Sequence, residues 1–226
     1  MKRRLEIVIL AVILLLLIAT AGILFLIRPS MIDMQRRAAE DQLITLIEEG
    51  QTRIEAIPVP EMEGEEAEFL ELEEQGIAET PEIDPGEITG YGVILIPAID
   101  LKMPVVEGAD TYSLRAAAGW YPESAEIGEA GNCVIFGHRM TSYGRHFNRV
   151  GELKTGDTIY LYNIEGECYT YTVTGTETIE PSALMDTLQA HNEGFTLTLV
   201  TCTPTGIASH RLMIYASLNT SKRLEE

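Results

Sequence analysis

The chain has 226 residues, enough for one globular domain of ordinary size with additional segments. The net charge is −19, and residues 88–226 contain 16 acidic and nine basic residues with no basic stripe, which excludes nucleic acid as a partner. The three cysteines form no C-x-x-C pair and the four histidines have no metal-ligand spacing, so the sequence predicts no metal site and no other cofactor.

A long apolar segment lies close to the N-terminus. Residues 7–27 form an uninterrupted apolar run, and a helix of this length, at about 1.5 Å per residue, spans the roughly 30 Å core of a bilayer. This predicts a single-pass transmembrane signal anchor at 7–27 after a cytoplasmic tail at 1–6, with the protein in the cell membrane and the rest of the chain extracellular. A cleaved signal peptide is the alternative, because Ala19-Thr20-Ala21 resembles a processing site, but the apolar run continues six residues beyond it.

Two segments of different composition follow the predicted anchor. Apolar residues at loosely helical spacing, without proline or glycine over 31–49, predict a helical stem at 28–50. Residues 48–87 then contain 15 acidic residues and a single basic one, Arg53, which gives a local charge of −14. This composition predicts an acidic disordered linker at 51–87 that holds the following domain away from the membrane.

Residues 88–220 have the short apolar runs of an all-β domain, and a short tail at 221–226 ends the chain. Strands are predicted at 92–96, 101–106, 133–136, 158–163 and 168–175, with hairpin turns at 97–100 and 165–166. Short helices are predicted at 110–118, with Asp110 as its N-cap, and at 181–189, capped at its start. Many short strands with few helices indicate a closed β-barrel.

Residues 196–218 predict a further hairpin. Threonine alternates with leucine and valine in its first half, turn formers surround Gly206, and its second half is again apolar. If the hairpin folds about the Gly206–Ile207 peptide, Cys202 and Arg211 lie opposite one another, with Cβ atoms about 4.5–5.5 Å apart. A guanidinium this close can interact with a group that reacts at the sulfur, so the pair predicts an active site.

A third candidate residue is His138. It follows a short apolar strand directly, so its imidazole lies at a strand end, where it can serve as an acid or base near physiological pH. The other histidines are predicted to lie elsewhere. His146 and His191 are expected at the surface, and His210 is expected on the opposite strand face from Arg211, because adjacent side chains of a strand alternate.

Four segments resemble the sortase family and occur in the order of that family. The run 198–202 (TLVTC) matches its TLxTC pattern, Arg211 falls at its catalytic arginine, Gly137-His138-Arg139 is similar to its histidine segment, and 91–101 resembles the strand that opens its barrel. The resemblance covers about residues 91–218. It implies an eight-stranded sortase-type β-barrel with a few short helices, preceded by a single N-terminal transmembrane helix. Among sortases, the sequence most resembles those of class E/D or class C.

The resemblance also implies a cysteine transpeptidase. Cys202 would attack the scissile carbonyl and His138 would protonate the departing amine, while Arg211 with Thr201 would hold the oxyanion or the substrate. The implied substrates are LPxTG-type surface proteins, cleaved between Thr and Gly, and the implied acceptor is an amine such as that of a lipid-linked peptidoglycan precursor. Two alternatives stay open: a pilin-polymerising, class C-like sortase that joins pilin subunits, and a non-catalytic, membrane-anchored binding barrel.

Three smaller questions stay open at this level. Cys133 and Cys168 lie in apolar strand patterns that predict packed thiols, with a disulfide between them as the alternative. Some pilin-polymerising sortases have an Asp-Pro-aromatic lid before the barrel, but here Asp84-Pro85 is followed by Gly86, which favours a plain spacer. Some sortases also bind calcium through scattered carboxylates, so calcium remains an alternative to the absence of a cofactor.

Overall fold

The computed structural model describes residues 2–57, 59, 86–109, 111–139 and 146–223. The chain divides into two compact units, Met1–Ala38 and Ala39–Glu226. Most of the predicted acidic linker, including the candidate lid residues Asp84 and Pro85, lies outside the described residues.

Helix α1 extends over Lys2–Glu48 and includes the residues predicted as anchor and most of those predicted as stem. It ends at Glu48, two residues before Gly50, whose φ of 79° lies in the left-handed region that stops a helix and that glycine adopts without strain. Within the part of the chain that the structure describes, no helix has the length and apolar character that a membrane crossing requires. The anchor at 7–27 therefore stays a prediction.

The last turns of α1 belong to the second unit. Leu43 and Ile47 are almost completely buried and form a cluster with Ile54, Val93 and Val106 of the sheet. Complete burial of an aliphatic side chain contributes about 1.5–3 kcal/mol. This apolar contact fixes the end of the predicted stem to the β-domain.

The second unit is built on a barrel. Its described strands are β1 Arg53–Glu55, β2 Glu87–Ile96, β3 Leu101–Glu107, β4 Ala118–Trp120, β5 Gly131–Phe136, β6 Thr158–Asn163, β7 Glu167–Ile179, β8 Phe195–Thr203 and β9 His210–Arg223. The order is β2-β3-β4-β5-β8-β9-β7-β6, and β6 pairs back with β2, which closes a ring of eight strands. The β3–β4 and β5–β8 pairings are parallel. The predicted all-β, eight-stranded barrel is confirmed.

Strand β1 is an addition to this ring. It pairs antiparallel with the start of β2, and its central residue Ile54 is 2% exposed. The prediction of disorder is therefore wrong for Arg53–Glu55, because one buried aliphatic residue in an acidic segment is too weak a signal. At the other end of the chain, β9 continues to Arg223, into the predicted tail.

The local elements follow the sequence with two differences. Both predicted hairpins form, with Ile96 opposite Leu101 in one and Tyr162 opposite Cys168 in the other. Helix α2, Thr111–Ala116, is shorter than predicted because Ala118 begins β4, which pairs with β3. Helix α3, Leu184–Ala190, follows a 3-10 turn at Pro181–Ala183, and neither the turn nor the helix has a side-chain hydrogen bond at its N-cap.

The barrel wall has two buried faces. On β8, Leu197 and Leu199 point into the barrel core. Val200 lies on the outer face, where it packs with Met213 of β9 and Leu114 of α2. Because side chains alternate along a strand, every second residue after Val200 on β8 also lies on the outer face.

Candidate active site

Strands β8 and β9 pair in the register that the sequence predicts. Cys202 lies opposite Arg211, and Thr203 lies opposite His210. The predicted pairing is confirmed. It could be predicted because the length of a hairpin turn sets every pair that follows it.

A pocket on the outer face of the barrel brings the three candidate residues together. Cys202 follows Val200 by two residues and so lies on the same face. His138, Cys202 and Arg211 all line this pocket. The remaining lining residues are Leu114, Phe136, Gly137, Val200 and Thr201. The three candidates are 2%, 4% and 0% exposed, respectively, so water screens their charges weakly.

The parallel pairing of β5 with β8 explains the position of His138. Phe136 is paired with Val200, and the N–H of Gly137 donates to the carbonyl of Val200 at 3.0 Å. His138 and Cys202 each lie two residues beyond this pair. Because parallel strands in register end side by side, the imidazole and the thiol reach the same edge of the wall.

Gly137 is required for steric reasons. A Cβ at this position would lie 2.6 Å from the ring of Phe147, which is fully buried in the barrel core. The N–H of Phe147 also donates to the carbonyl of His138 at 2.9 Å. Close packing and one hydrogen bond together fix the backbone that carries the histidine.

Backbone carbonyls hold the guanidinium of Arg211. Its Nη1 donates to the carbonyl of Ala208 at 3.1 Å and to that of His210 at 3.3 Å. Ala208 has a φ of 57°, in the left-handed region that a non-glycine residue adopts rarely. The loop before β9 and the first residue of β9 are therefore shaped so that their carbonyls meet the arginine.

Thr201 lines the pocket, and its predicted role at the oxyanion or the substrate stays a prediction. It alternates with Cys202 along β8, and its Oγ1 donates to the carbonyl of Gly137 at 2.7 Å. This hydrogen bond uses the hydroxyl proton and ties β8 to the segment that carries His138. The structure thus gives Thr201 a positioning contact, and its hydroxyl does not donate toward the pocket.

The other histidines have distinct environments. His210 contacts Glu180, with Nε2 3.1 Å from Oε1, and is not among the described residues of the pocket wall. His191 is partly buried and stacks on Tyr215 with ring centroids 4.1 Å apart. His146 is 3% exposed, so the prediction that it lies at the surface is wrong. The long-range contacts that bury it leave no local pattern in the sequence.

The remaining cysteines are packed, as predicted. Cys133 and Cys168 are both buried and both free, so the alternative of a disulfide between them is wrong. Burial raises the pKa of the Cys133 thiol far above its usual value, because a thiolate is costly away from water. Cys133 is therefore a poor nucleophile.

Two polar residues near the site were not found by sequence reasoning. Arg139 donates from Nη1 to Oγ1 of Thr203, the last residue of β8, at 2.6 Å. Glu40, on α1, lies 3.0 Å from Nε2 of His146. Arg139 directly follows His138 in the sequence, so its position near the site could have been predicted. Glu40 and His146 are far apart in the sequence, and no local pattern relates them.

The arrangement provides the groups for acyl transfer through a thiol. A thiolate is a strong nucleophile, an imidazole can move a proton to a leaving group, and a guanidinium stabilises negative charge on oxygen. In the described part of the chain no three metal-ligating side chains converge, and the calcium alternative stays open.

An eight-stranded barrel that gathers these three groups on its wall belongs to a known class of thiol enzymes. Residues 94–219 match the family model of the sortase domain, which is more than half of the chain. The chain therefore belongs to the sortase family, whose members are cysteine transpeptidases.

Individual relatives agree with this assignment. Sortase A of Bacillus anthracis is 29% identical over 168 residues, which cover 73% of this chain and 78% of that protein. Sortase D of Bacillus subtilis is 37% identical over 128 residues, which cover 55% of this chain and 61% of that protein. A crystal structure of Streptococcus pneumoniae sortase C matches with a TM-score of 0.52 and 32% identity, over 58% of this chain and 66% of that one. The chain thus spans less than two thirds of the last two proteins.

Proposed function

We propose that the chain cleaves an LPxTG-like sorting signal between Thr and Gly and transfers the acyl group to an amine of a cell-wall precursor. The observation that carries this proposal is the pairing of Cys202 with Arg211 beside His138 in one pocket. In a member of a transpeptidase family, these three groups provide a nucleophile, a proton donor and an oxyanion partner.

In the first half-reaction, the thiolate of Cys202 attacks the carbonyl carbon of the signal threonine. The resulting oxyanion accepts hydrogen bonds from the guanidinium of Arg211, a type of contact worth about 10²–10³ in rate. When the tetrahedral intermediate collapses, the Thr–Gly bond breaks and the imidazolium of His138 donates its proton to the glycine amine. The products are a thioester on Cys202, a neutral imidazole and a free glycine-ended peptide.

In the second half-reaction, an acceptor amine attacks the thioester carbonyl. The amine loses one proton to His138 as the new C–N bond forms, and the sulfur of Cys202 leaves as a thiolate. Both residues then return to their starting states, so protons and charge balance over the cycle. The burial of Cys202, only 4% exposed, favours a bound amine over bulk water as the acceptor.

The proposed location is the cell membrane, with a single pass at 7–27, a cytoplasmic N-terminus and an extracellular catalytic unit. The apolar run and the basic residues before it support this orientation. An enzyme held at the outer membrane surface meets both exported proteins and lipid-linked precursors. Restriction to one surface raises the rate at which the enzyme, the exported proteins and the lipid-linked precursors meet.

Pilin polymerisation is a second candidate function. It is supported by the similarity to Streptococcus pneumoniae sortase C, whose structure is described as providing insight into pilin substrate specificity. The chemistry at Cys202 is then the same, and only the acceptor changes, to an amine of another pilin subunit. The choice of acceptor therefore separates the two candidates.

One experiment tests the chemistry and the acceptor together. The full chain, in mild detergent, is incubated with an LPxTG peptide and either a peptidoglycan-stem amine or a lysine peptide of a pilin. Mass spectrometry should show an acyl adduct on the Cys202 peptide, release of the glycine-ended fragment, and ligation to the stem amine. Ligation to the pilin amine alone supports the second candidate. A parent chain that gives neither adduct nor cleavage, like the Cys202→Ala control, is a non-catalytic barrel.

A further inference from the structure

A second buried histidine lies behind the pocket histidine. The ring centroids of His138 and His146 are 6.3 Å apart, and the rings are tilted by 53°. The two residues are 2% and 3% exposed, so neither is free to change its rotamer without displacing its neighbours. The position of one ring therefore depends on the position of the other.

Helix α1 supplies a carboxylate to this second histidine. Oε1 of Glu40 lies 3.0 Å from Nε2 of His146, and the two side chains are 13% and 0% exposed. At this distance, and with little water nearby, the carboxylate interacts strongly with the imidazole and forms an ion pair when the ring is protonated. Glu40 thus restrains the position of the His146 ring.

The backbone transmits this constraint to His138. His146 has a φ of 44°, a conformation that a non-glycine residue keeps only when its contacts hold it. The next residue, Phe147, donates its N–H to the carbonyl of His138 at 2.9 Å, and its ring packs against Gly137. A movement of His146 is therefore transmitted through the next residue, Phe147, to the backbone that carries His138.

We propose that Glu40 is a positioning residue for His138, acting through His146 and Phe147. The inference rests on the proposed function, because it assumes that His138 moves protons for Cys202. It assigns to the end of α1 a part in the support of the active site. Catalytic geometry is demanding, and a misplacement of about 1 Å can lower a rate by as much as 10².

The same helix offers a matched control. Glu48 also joins α1 to the barrel, through an ion pair with Nζ of Lys102 at 2.7 Å. Neither Glu48 nor Lys102 is among the residues that line the pocket. Loss of Glu48 weakens the attachment of the helix without touching the histidines.

The kinetic test compares Glu40→Ala, Glu40→Gln and Glu48→Ala in the full chain, with circular dichroism and Tm to confirm folding. Glu40→Ala should lower kcat for peptide transfer about tenfold with KM nearly unchanged, because the proton donor is misplaced while the substrate surface is intact. Glu40→Gln keeps the length and the polar contact, so it should stay within about threefold of the parent. Glu48→Ala should leave both constants unchanged. A Glu40→Ala variant that matches Glu48→Ala, or a Glu40→Gln variant as slow as Glu40→Ala, would overturn the inference.

A second variant and a spectroscopic readout keep the test independent of one substitution. His146→Asn suits the left-handed backbone and removes the ring, so it should lose rate like Glu40→Ala, and the double variant should be no slower than the slower single one. In ¹³C-histidine spectra, the His138 resonance should move in Glu40→Ala and not in Glu48→Ala. Additive losses, or an unmoved resonance, would contradict the coupling. The spectra need no substrate, so they test positioning even if the parent forms no thioester and the proposed function fails.

Discussion

The sharpest test of the site is the replacement of Arg211 by lysine. Nη1 of Arg211 donates to the carbonyls of Ala208 and His210, and the planar guanidinium has two further nitrogens, Nε and Nη2, that can act as donors. A lysine has a single nitrogen, and in a side chain this deeply buried that nitrogen must satisfy the same carbonyls. The oxyanion then loses one donor, a loss that costs about 10²–10³ in rate. We expect kcat/KM of Arg211→Lys to fall by that factor.

The matched control is His210→Gln. Position 210 pairs with Thr203 and contacts Glu180, away from the thiol, so this variant should remain within a few-fold of the parent. The assay is steady-state transpeptidation of a fluorogenic sorting-signal peptide, with circular dichroism to show that both variants fold. If His210→Gln lost most of its activity while Arg211→Lys stayed nearly normal, the functional face of β9 would be the face that carries His210.

Four further predictions concern the thiols, the glycine and the anchor. Cys202→Ala should abolish acyl-adduct formation in mass spectrometry with an unchanged Tm, and residual transfer would rule out this nucleophile. Cys133 should resist iodoacetamide in the native protein at pH 8, because burial raises its thiol pKa, and should react only on unfolding; equal labelling in both states would contradict the packing. Gly137→Ala should destabilise the fold by about 1–3 kcal/mol in urea titrations, because its Cβ meets the Phe147 ring, and Ala tolerated without cost would show that the ring can move. The exported chain should keep residues 7–27 and sediment with membranes, and an N-terminus beginning near residue 22 would show cleavage instead.

Local chemistry in the sequence was enough to place Cys202 opposite Arg211. A strand has a period of two, and a hairpin that turns about Gly206 pairs residues at equal distances from its midpoint, so the register follows from spacing alone. The same reasoning put His210 on the other face and gave the two smaller hairpins. The strand that leads to His138 was also visible as a short apolar run.

The meeting of His138 with Cys202 was decided by the tertiary structure. Only closure of the barrel pairs β5 with β8 in parallel, and without the family resemblance nothing in the sequence relates two strands more than sixty residues apart. The burial of His146 against Glu40 and the pairing of Arg53–Glu55 with β2 are decided in the same way. Short-range periodicity encodes which face a residue occupies, because it depends on neighbouring dihedral angles. Long-range packing selects which faces meet, because that choice depends on the free energy of the whole core.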